Sequence, residues 1–390
     1  MSANLINPQP WERFGAREDE WRDWRWQQRH AVRTLDEAAR QLALSPEETE
    51  GIRRAQGLFR FGATPYYLSL ADREDPACPV RMQVVPGLAE SRVRPGELRD
   101  PLGEDSHRPV ASIVHKYPDR VLFLAFDRCA VYCRHCTRRR IAGGGEAPLN
   151  RKALEAGIAY VRAHPEVRDV LVSGGDPLLL SDGRLEALLG ELRAIPHVQL
   201  LRIGTRVPVA NPMRVTPALV ATLRRFHPLF VVTHFNHPKE ITPESRAACE
   251  ALVDAGIPVE NQSVLLRRIN SSARILTRLS HELLAMRVRP YYLHQMDVAE
   301  GTEHLRTPVE AGLAILDAMR GYTSGLAVPH LAVDLPGGGG KVTLQPRYLL
   351  ERDARGATFR NYRGERYVYP EPADSDCRCP YEDKYFGERG

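Results

Sequence analysis

From residue 121 onward the chain alternates short, almost unbroken apolar runs with longer stretches whose apolar residues recur every three to four positions. The runs at 121–126, 170–173, 198–203, 230–234, 258–266 and 288–293 predict strands. The segments that follow them, at 151–164, 183–195, 217–226, 243–256, 273–286 and 308–319, predict helices. In the second of these, Leu185, Leu188, Leu189 and Leu192 fall at i, i+3, i+4 and i+7 and predict one core-facing stripe. Three helices open on the same pair, Thr216-Pro217, Thr242-Pro243 and Thr307-Pro308. A threonine hydroxyl caps orphan amides, and proline suits the first helical position. Thr307 with Glu310 predicts a capping box.

Six β-α units in succession predict an α/β fold around a parallel sheet with right-handed crossovers. The strand runs are apolar nearly throughout, as a sheet covered on both faces requires. Six units are too few for the eight-stranded barrel, which leaves a partial (β/α)6 TIM-like barrel or an open doubly wound sheet. In either, reactive groups belong on loops leaving the carboxyl ends of strands. Residues 1–110 read as a mainly helical N-terminal region, with helix-like spacing at 34–44 and 46–59 and all four tryptophans between Trp11 and Trp26. The segments 65–70 and 95–100 read as loop or packing segments. Residues 111–326 carry the barrel, and 327–390 form a small C-terminal region.

Composition changes this picture little. The chain of 390 residues is 43% hydrophobic and 26% charged, which excludes collagen-like, low-complexity and wholly disordered readings. Its formal charge of +5 is mild for this size and demands neither a nucleic-acid nor a membrane partner. The longest clean apolar run, 121–126, falls far short of the ~20 residues that span a bilayer. No basic stretch followed by an apolar core opens the sequence, so a cytoplasmic location is expected.

The seven cysteines are informative by position. Cys129-Ala-Val-Tyr-Cys133-Arg-His-Cys136 follows directly on the first barrel strand. In a chain this long, such a cluster reads as metal ligation rather than a disulfide framework. Three soft thiolates suit an iron–sulfur cluster with one iron left open, since four would saturate it. A zinc site borrowing His135 or a distant cysteine is the alternative. Further along, Pro336-Gly-Gly-Gly-Gly340-Lys341 fails as a phosphate loop, because Val342 stands where serine or threonine is needed. It is then either a flexible surface turn or a mobile lysine able to form an imine with pyridoxal 5′-phosphate (PLP).

Cys-x3-Cys-x2-Cys on the loop after the first barrel strand resembles the radical S-adenosylmethionine (SAM) superfamily, whose open iron chelates SAM. Ser173-Gly174-Gly175-Asp176 at the end of the second strand resembles that superfamily's motif for the SAM amino group. The whole set is similar to one family, the lysine 2,3-aminomutases. The similar segments include His115-Lys-Tyr-Pro-Asp-Arg120, Tyr132-Cys-Arg-His-Cys-Thr-Arg-Arg-Arg140, Arg202-Ile-Gly-Thr-Arg206 and Thr233-His-Phe-Asn-His-Pro238. They continue through Asn261-Gln-Ser-Val-Leu-Leu266, Arg289-Pro-Tyr-Tyr292 and the glycine-rich lysine segment, and together cover roughly residues 60 to 370.

That resemblance implies an isomerase, an L-lysine 2,3-aminomutase that makes β-lysine by an amino shift initiated by a 5′-deoxyadenosyl radical. It implies a [4Fe-4S] cluster held by Cys129, Cys133 and Cys136, SAM, and PLP carried on Lys341. Arg138 would clamp the substrate α-carboxylate, a task that suits a planar fork. Asp297 and Asp334 would hold the distal ammonium, since two carboxylates supply charge-assisted hydrogen bonds and reject an anionic end group. Tyr117 and Arg120 resemble residues around the PLP phosphate, and His234 and Gln262 would line the SAM pocket. Several such enzymes carry a structural zinc. Here Arg268-Ile-Asn-Ser-Ser272 lacks the expected cysteine, and the tail offers only Cys377 and Cys379, with Glu382 as a possible oxygen ligand. No structural zinc is expected. The partners implied are a small amino-acid substrate, a one-electron reductant protein and further copies of the chain. Alternatives are an arginine substrate, β-lysine made for modifying elongation factor P, and, more distantly, a radical SAM enzyme acting on RNA.

Overall fold

The computed structural model describes residues 9–55, 59–143, 149–354, 356–373 and 377, and the chain divides into two compact units, Met1–Gln345 and Pro346–Gly390. In the first, nine strands form one sheet: β1 Ile113–Tyr117, β2 Arg120–Phe126, β3 Asp169–Gly174, β4 Leu200–Gly204, β5 Leu229–Thr233, β6 Val259–Leu265, β7 Val288–Gln295, β8 His330–Leu335 and β9 Gly340–Leu344. Their order in the sheet is their order in the chain. A doubly wound sheet would reverse direction at a switch point. The unbroken order therefore settles the architecture as a partial barrel.

The pairs from β2 to β8 are parallel, while β1 and β9 run antiparallel at the two edges. Six of the parallel strands and the helices after them match the alternation in the sequence. The seventh, β8, and both antiparallel edges extend it. The edges meet: the Lys341 amide on β9 donates to the Tyr117 hydroxyl on β1 at 2.8 Å.

The crossover helices run Arg151–Ala163, Asp182–Arg193, Pro217–Leu223, Pro243–Asp254, Ala273–Ala285 and Val309–Met319. Leu185, Leu188, Leu189 and Leu192 are all buried, as their spacing requires. Thr216 and Thr242 cap their helices, accepting from the amides of Leu219 at 3.2 Å and Ser245 at 3.1 Å. The capping box expected at Thr307 is not formed. The helix starts one residue later than expected: Pro308, which has no capping side chain, is the N-cap of Val309–Met319, and Thr307 lies outside it, its hydroxyl and carbonyl accepting from the buried Gln295 amide.

Helices Glu18–Trp21, Trp24–Arg29, Leu35–Gln41 and Pro46–Ala55 precede the sheet, with Trp21 and Trp26 buried. Residues 65–70, expected as a loop or packing segment, pack as a further short helix, Pro65–Ser69, capped by Thr64 and burying Tyr66, Tyr67 and Leu68. A buried ion pair, Arg81 to Glu48 at 2.6 and 2.7 Å, ties this region together. In the second unit β10 Leu349–Asp353, β11 Gly356–Arg360 and β12 Arg366–Tyr369 form an antiparallel sheet. Cys377 is exposed there, while Cys379 and Glu382 lie outside the described residues.

Candidate active site

The loop that leaves β2 carries Cys129, Cys133 and Cys136. It is held by direct backbone contact with the turn that ends β3. Gly175 donates to the Phe126 carbonyl at 2.5 Å, and the Asp176 amide to the Arg128 carbonyl at 2.8 Å. A Cβ at Gly175 would lie 2.5 Å from the Arg128 oxygen and 2.7 Å from its nitrogen, so only glycine admits this approach. The Asp176 carboxylate turns into the fold. It accepts from the Thr205 hydroxyl at 2.6 Å and the Arg206 amide at 2.7 Å, and burial pushes its pKa up to about 6. Ser173 sits at the carboxyl end of β3, beside Gly204 of β4.

Burial and the charges of neighbouring thiols push the Cys136 thiol up to about 11 and raise Cys129 well above the usual range. A bound cationic centre offsets this cost, because it deprotonates the thiols that coordinate it. Among the described residues no three His, Cys, Asp and Glu side chains converge so as to hold a single metal ion. A cubane cluster makes no such demand, because its cysteines bind different irons. The donor set thus fits an iron–sulfur cluster better than zinc. His135, the candidate zinc ligand, instead meets His234 with Nε2 atoms 2.9 Å apart. Asn236 bonds both rings, and burial together with nearby positive charge holds both well below the usual histidine range, hence neutral. The Gln262 backbone, on β6, lies near the His234 ring.

The glycine-rich segment forms the β8–β9 turn. Gly337, Gly338 and Gly340 all have positive φ (69°, 93° and 86°), which requires glycine. In the antiparallel register Asp334 faces Lys341 directly. The Lys341 ammonium donates to the Asp334 carboxylate at 2.6 Å and lies 3.1 Å from His294 Nδ1 and 5.2 Å from the Tyr292 ring centroid. Hydrogen bonding to His294 and the Lys341 charge hold Asp334 far below the usual carboxylate range, against the cost of its burial. The Arg120 guanidinium stacks over Tyr117 at 4.0 Å and pairs with Asp119 at 2.8 Å. A reactive amine beside aromatic and polar groups, with a phenol and a guanidinium near its backbone, is a donor set that fits PLP.

The two centres converge through Thr137, the residue after Cys136, whose hydroxyl donates to Asp297 at 2.5 Å. Asp297 is half-buried; loss of solvent and the nearby Asp334 charge raise its pKa, against the Thr137 hydrogen bond and the charges of His294 and Lys341, which lower it. Arg138 is bound side-on by Glu104, with Nε at 2.8 Å and Nη2 at 2.6 Å from one carboxylate oxygen. Arg139 and Arg140 are used within the fold: Arg139 donates to the Glu300 carbonyl at 2.9 Å, and Arg140 pairs with Asp105 at 2.9 Å. Sequence reasoning missed Glu104 and His294, and gave Thr137, Arg206, Asn236 and Tyr292 no role although all four lie in the similar segments.

A family model described as Lysine-2,3-aminomutase matches residues 316–388. The L-lysine 2,3-aminomutase of Bacillus subtilis is 50% identical over 91% of this chain and 75% of its own length. That of Fusobacterium nucleatum is 46% identical over 95% of this chain and 87% of its own. The glutamate 2,3-aminomutase of Clostridioides difficile is 41% identical over 89% of this chain and 82% of its own.

Proposed function

Given that the chain belongs to the lysine 2,3-aminomutase family, we propose that it is an L-lysine 2,3-aminomutase converting L-lysine to β-lysine. Cys129, Cys133 and Cys136 would hold the [4Fe-4S] cluster. Ser173, the Gly174-Gly175 turn, His234 and Gln262 would hold SAM, and Lys341, Tyr117 and Arg120 would hold PLP. Bound there, these groups supply radical initiation and a π-system that disperses the unpaired electron.

The chain's own residues bind, orient and shield. Arg138 presents a guanidinium edge to the α-carboxylate, steadied from the opposite side by Glu104. Asp334 and Asp297 face the distal ammonium. Asp176 acts through the fold, fixing the turn that abuts the cysteine loop. The neutral His135–His234 pair adds no charge of its own beside the cysteines, where Arg206 supplies the cation.

One observation carries the substrate: the Lys341 ammonium, itself on a lysine side chain, sits on Asp334 at 2.6 Å with Asp297 close behind. This amine stands in for the distal amine of a free lysine. With PLP on Lys341, Asp334 would be released to accept the substrate. Two carboxylates repel a γ-carboxylate, which argues against glutamate in spite of the related glutamate enzyme. A one-electron reductant protein, a homo-oligomeric state and a cytoplasmic location complete the proposal. No helix among the described residues is long and apolar enough to cross a membrane.

The test is an amino-acid panel assayed without oxygen, with mass detection of β-isomers. Lysine should turn over faster than arginine or glutamate. Equal or better turnover of glutamate overturns the assignment.

A further inference from the structure

Arg206 stands at the head of a short helix, Val207–Ala210, just beyond the carboxyl end of β4, and is 8% exposed. Its Nη1 donates to Cys133 Sγ at 2.6 Å. The rest of its fork is fully engaged. Nη2 meets the Tyr67 hydroxyl at 3.0 Å, Gln83 Oε1 at 2.6 Å and Glu240 Oε1 at 2.7 Å, and Nε donates to the His234 carbonyl at 3.2 Å. Tyr67 also donates to the same Glu240 oxygen at 2.7 Å. Glu240 is fully buried, and its second oxygen accepts from the amides of Asn236 at 2.6 Å and His237 at 2.9 Å. The guanidinium is thus fixed in place by groups from four separate parts of the chain, with one edge directed at a cysteine sulfur.

No purely structural need explains that last contact. The ion pair with Glu240 already satisfies the buried charge, and a thiol is a weak acceptor. A thiolate bound to iron is a better one. Its charge grows when the cluster takes up an electron, so a fixed cation beside it stabilises the reduced state. Hydrogen bonds to cluster sulfurs and local charge are the protein's means of setting such potentials. In a dry environment the effect of one charge is large, because little solvent screens it.

We propose that Arg206 tunes the reduction potential of the cluster through its hydrogen bond to Cys133, with Glu240 as an opposing charge that limits the effect. The inference rests on the reading of Cys133 as a cluster ligand. It assigns to the Arg202-Ile-Gly-Thr-Arg206 segment a function in electron uptake, separate from substrate binding.

The two charges predict shifts of opposite sign, which a merely structural role would not produce. The whole chain is reconstituted with iron and sulfide without oxygen. The midpoint potential is then read by redox titration monitored by electron paramagnetic resonance, with neither SAM nor PLP added. Arg206→Gln should move the potential to more negative values and Glu240→Gln to less negative ones. The double variant should fall between the two. A wild-type potential in Arg206→Gln overturns the proposal. Where Arg206→Gln fails to assemble a cluster, Glu240→Gln decides alone, and an unchanged or more negative potential in it overturns the proposal. A wild-type chain that assembles no cluster at all overturns the cluster reading itself, a separate failure.

Discussion

Replacing Asp334 by asparagine keeps the size and one acceptor of the side chain and removes its charge. In the present structure the carboxylate binds a primary ammonium at 2.6 Å with a side chain only 17% exposed. Hydrogen bonds to charged groups are worth ~1.5–3 kcal/mol and neutral ones ~0.5–1.5, so the amide forfeits about 1–2 kcal/mol. That difference corresponds to roughly a 5–30-fold loss of affinity. To separate this from disturbance of the cofactor, lysine is compared with 2-aminohexanoate, the same chain without its distal amine. Dissociation constants are read from the absorption of the PLP-loaded protein without SAM. Asp334→Asn should weaken lysine by about 5–30-fold and leave 2-aminohexanoate nearly unchanged, collapsing the ratio of the two constants. An unaltered ratio, with both ligands weakened alike, would refute the assignment of Asp334 to the distal ammonium.

Lys341→Ala should abolish the absorption band of protein-held PLP while the iron content stays at the wild-type level, as elemental analysis would show. Because burial and Asp334 raise the Asp297 pKa, its ionised form is gained only as pH rises through that elevated value. Lysine affinity should therefore fall on the acid side of a pH titration, and Asp297→Asn should lose that acid limb together with much of the affinity. In Glu48→Ala the fully buried Arg81 is left uncompensated, which should cost about 3–5 kcal/mol of stability in denaturant melts. The Arg81 ion pair and backbone hydrogen bonds hold Glu48 below its usual range despite its burial. The stability it contributes is present above the carboxylate range and lost as pH falls through its depressed value.

Much of this was legible in the chain because it is local. The alternation of apolar runs and helical stripes gave the six β-α units, and the spacing of Cys129, Cys133 and Cys136 placed a ligand loop at the end of β2. Sequence names Asp334 and Lys341 as site residues, while their pairing across the β8–β9 turn emerges only in the strand register. What escaped was non-local or competitive. Glu104 reaches Arg138 across 34 positions and Arg206 reaches Cys133 across 73, distances at which no periodicity informs. Thr307 met a rule for capping, but the helix begins one residue later, with Pro308 at the cap position. Asp176 matched a ligand motif, yet the turn it stabilises consumes both of its oxygens. The antiparallel edge strands were hidden because polar residues such as His115 and Lys116 interrupt the apolar pattern there.

The seam where β9 meets β1 has a consequence for how the molecule matures. During synthesis the ribosome delivers Tyr117 early and Lys341 more than two hundred residues later. On the proposed role of Lys341, the amine that would carry the vitamin B6 group thus emerges only after every other strand of its sheet has left the exit tunnel. A growing chain cannot capture that group prematurely, and a product truncated short of β9 lacks both the seam and the amine.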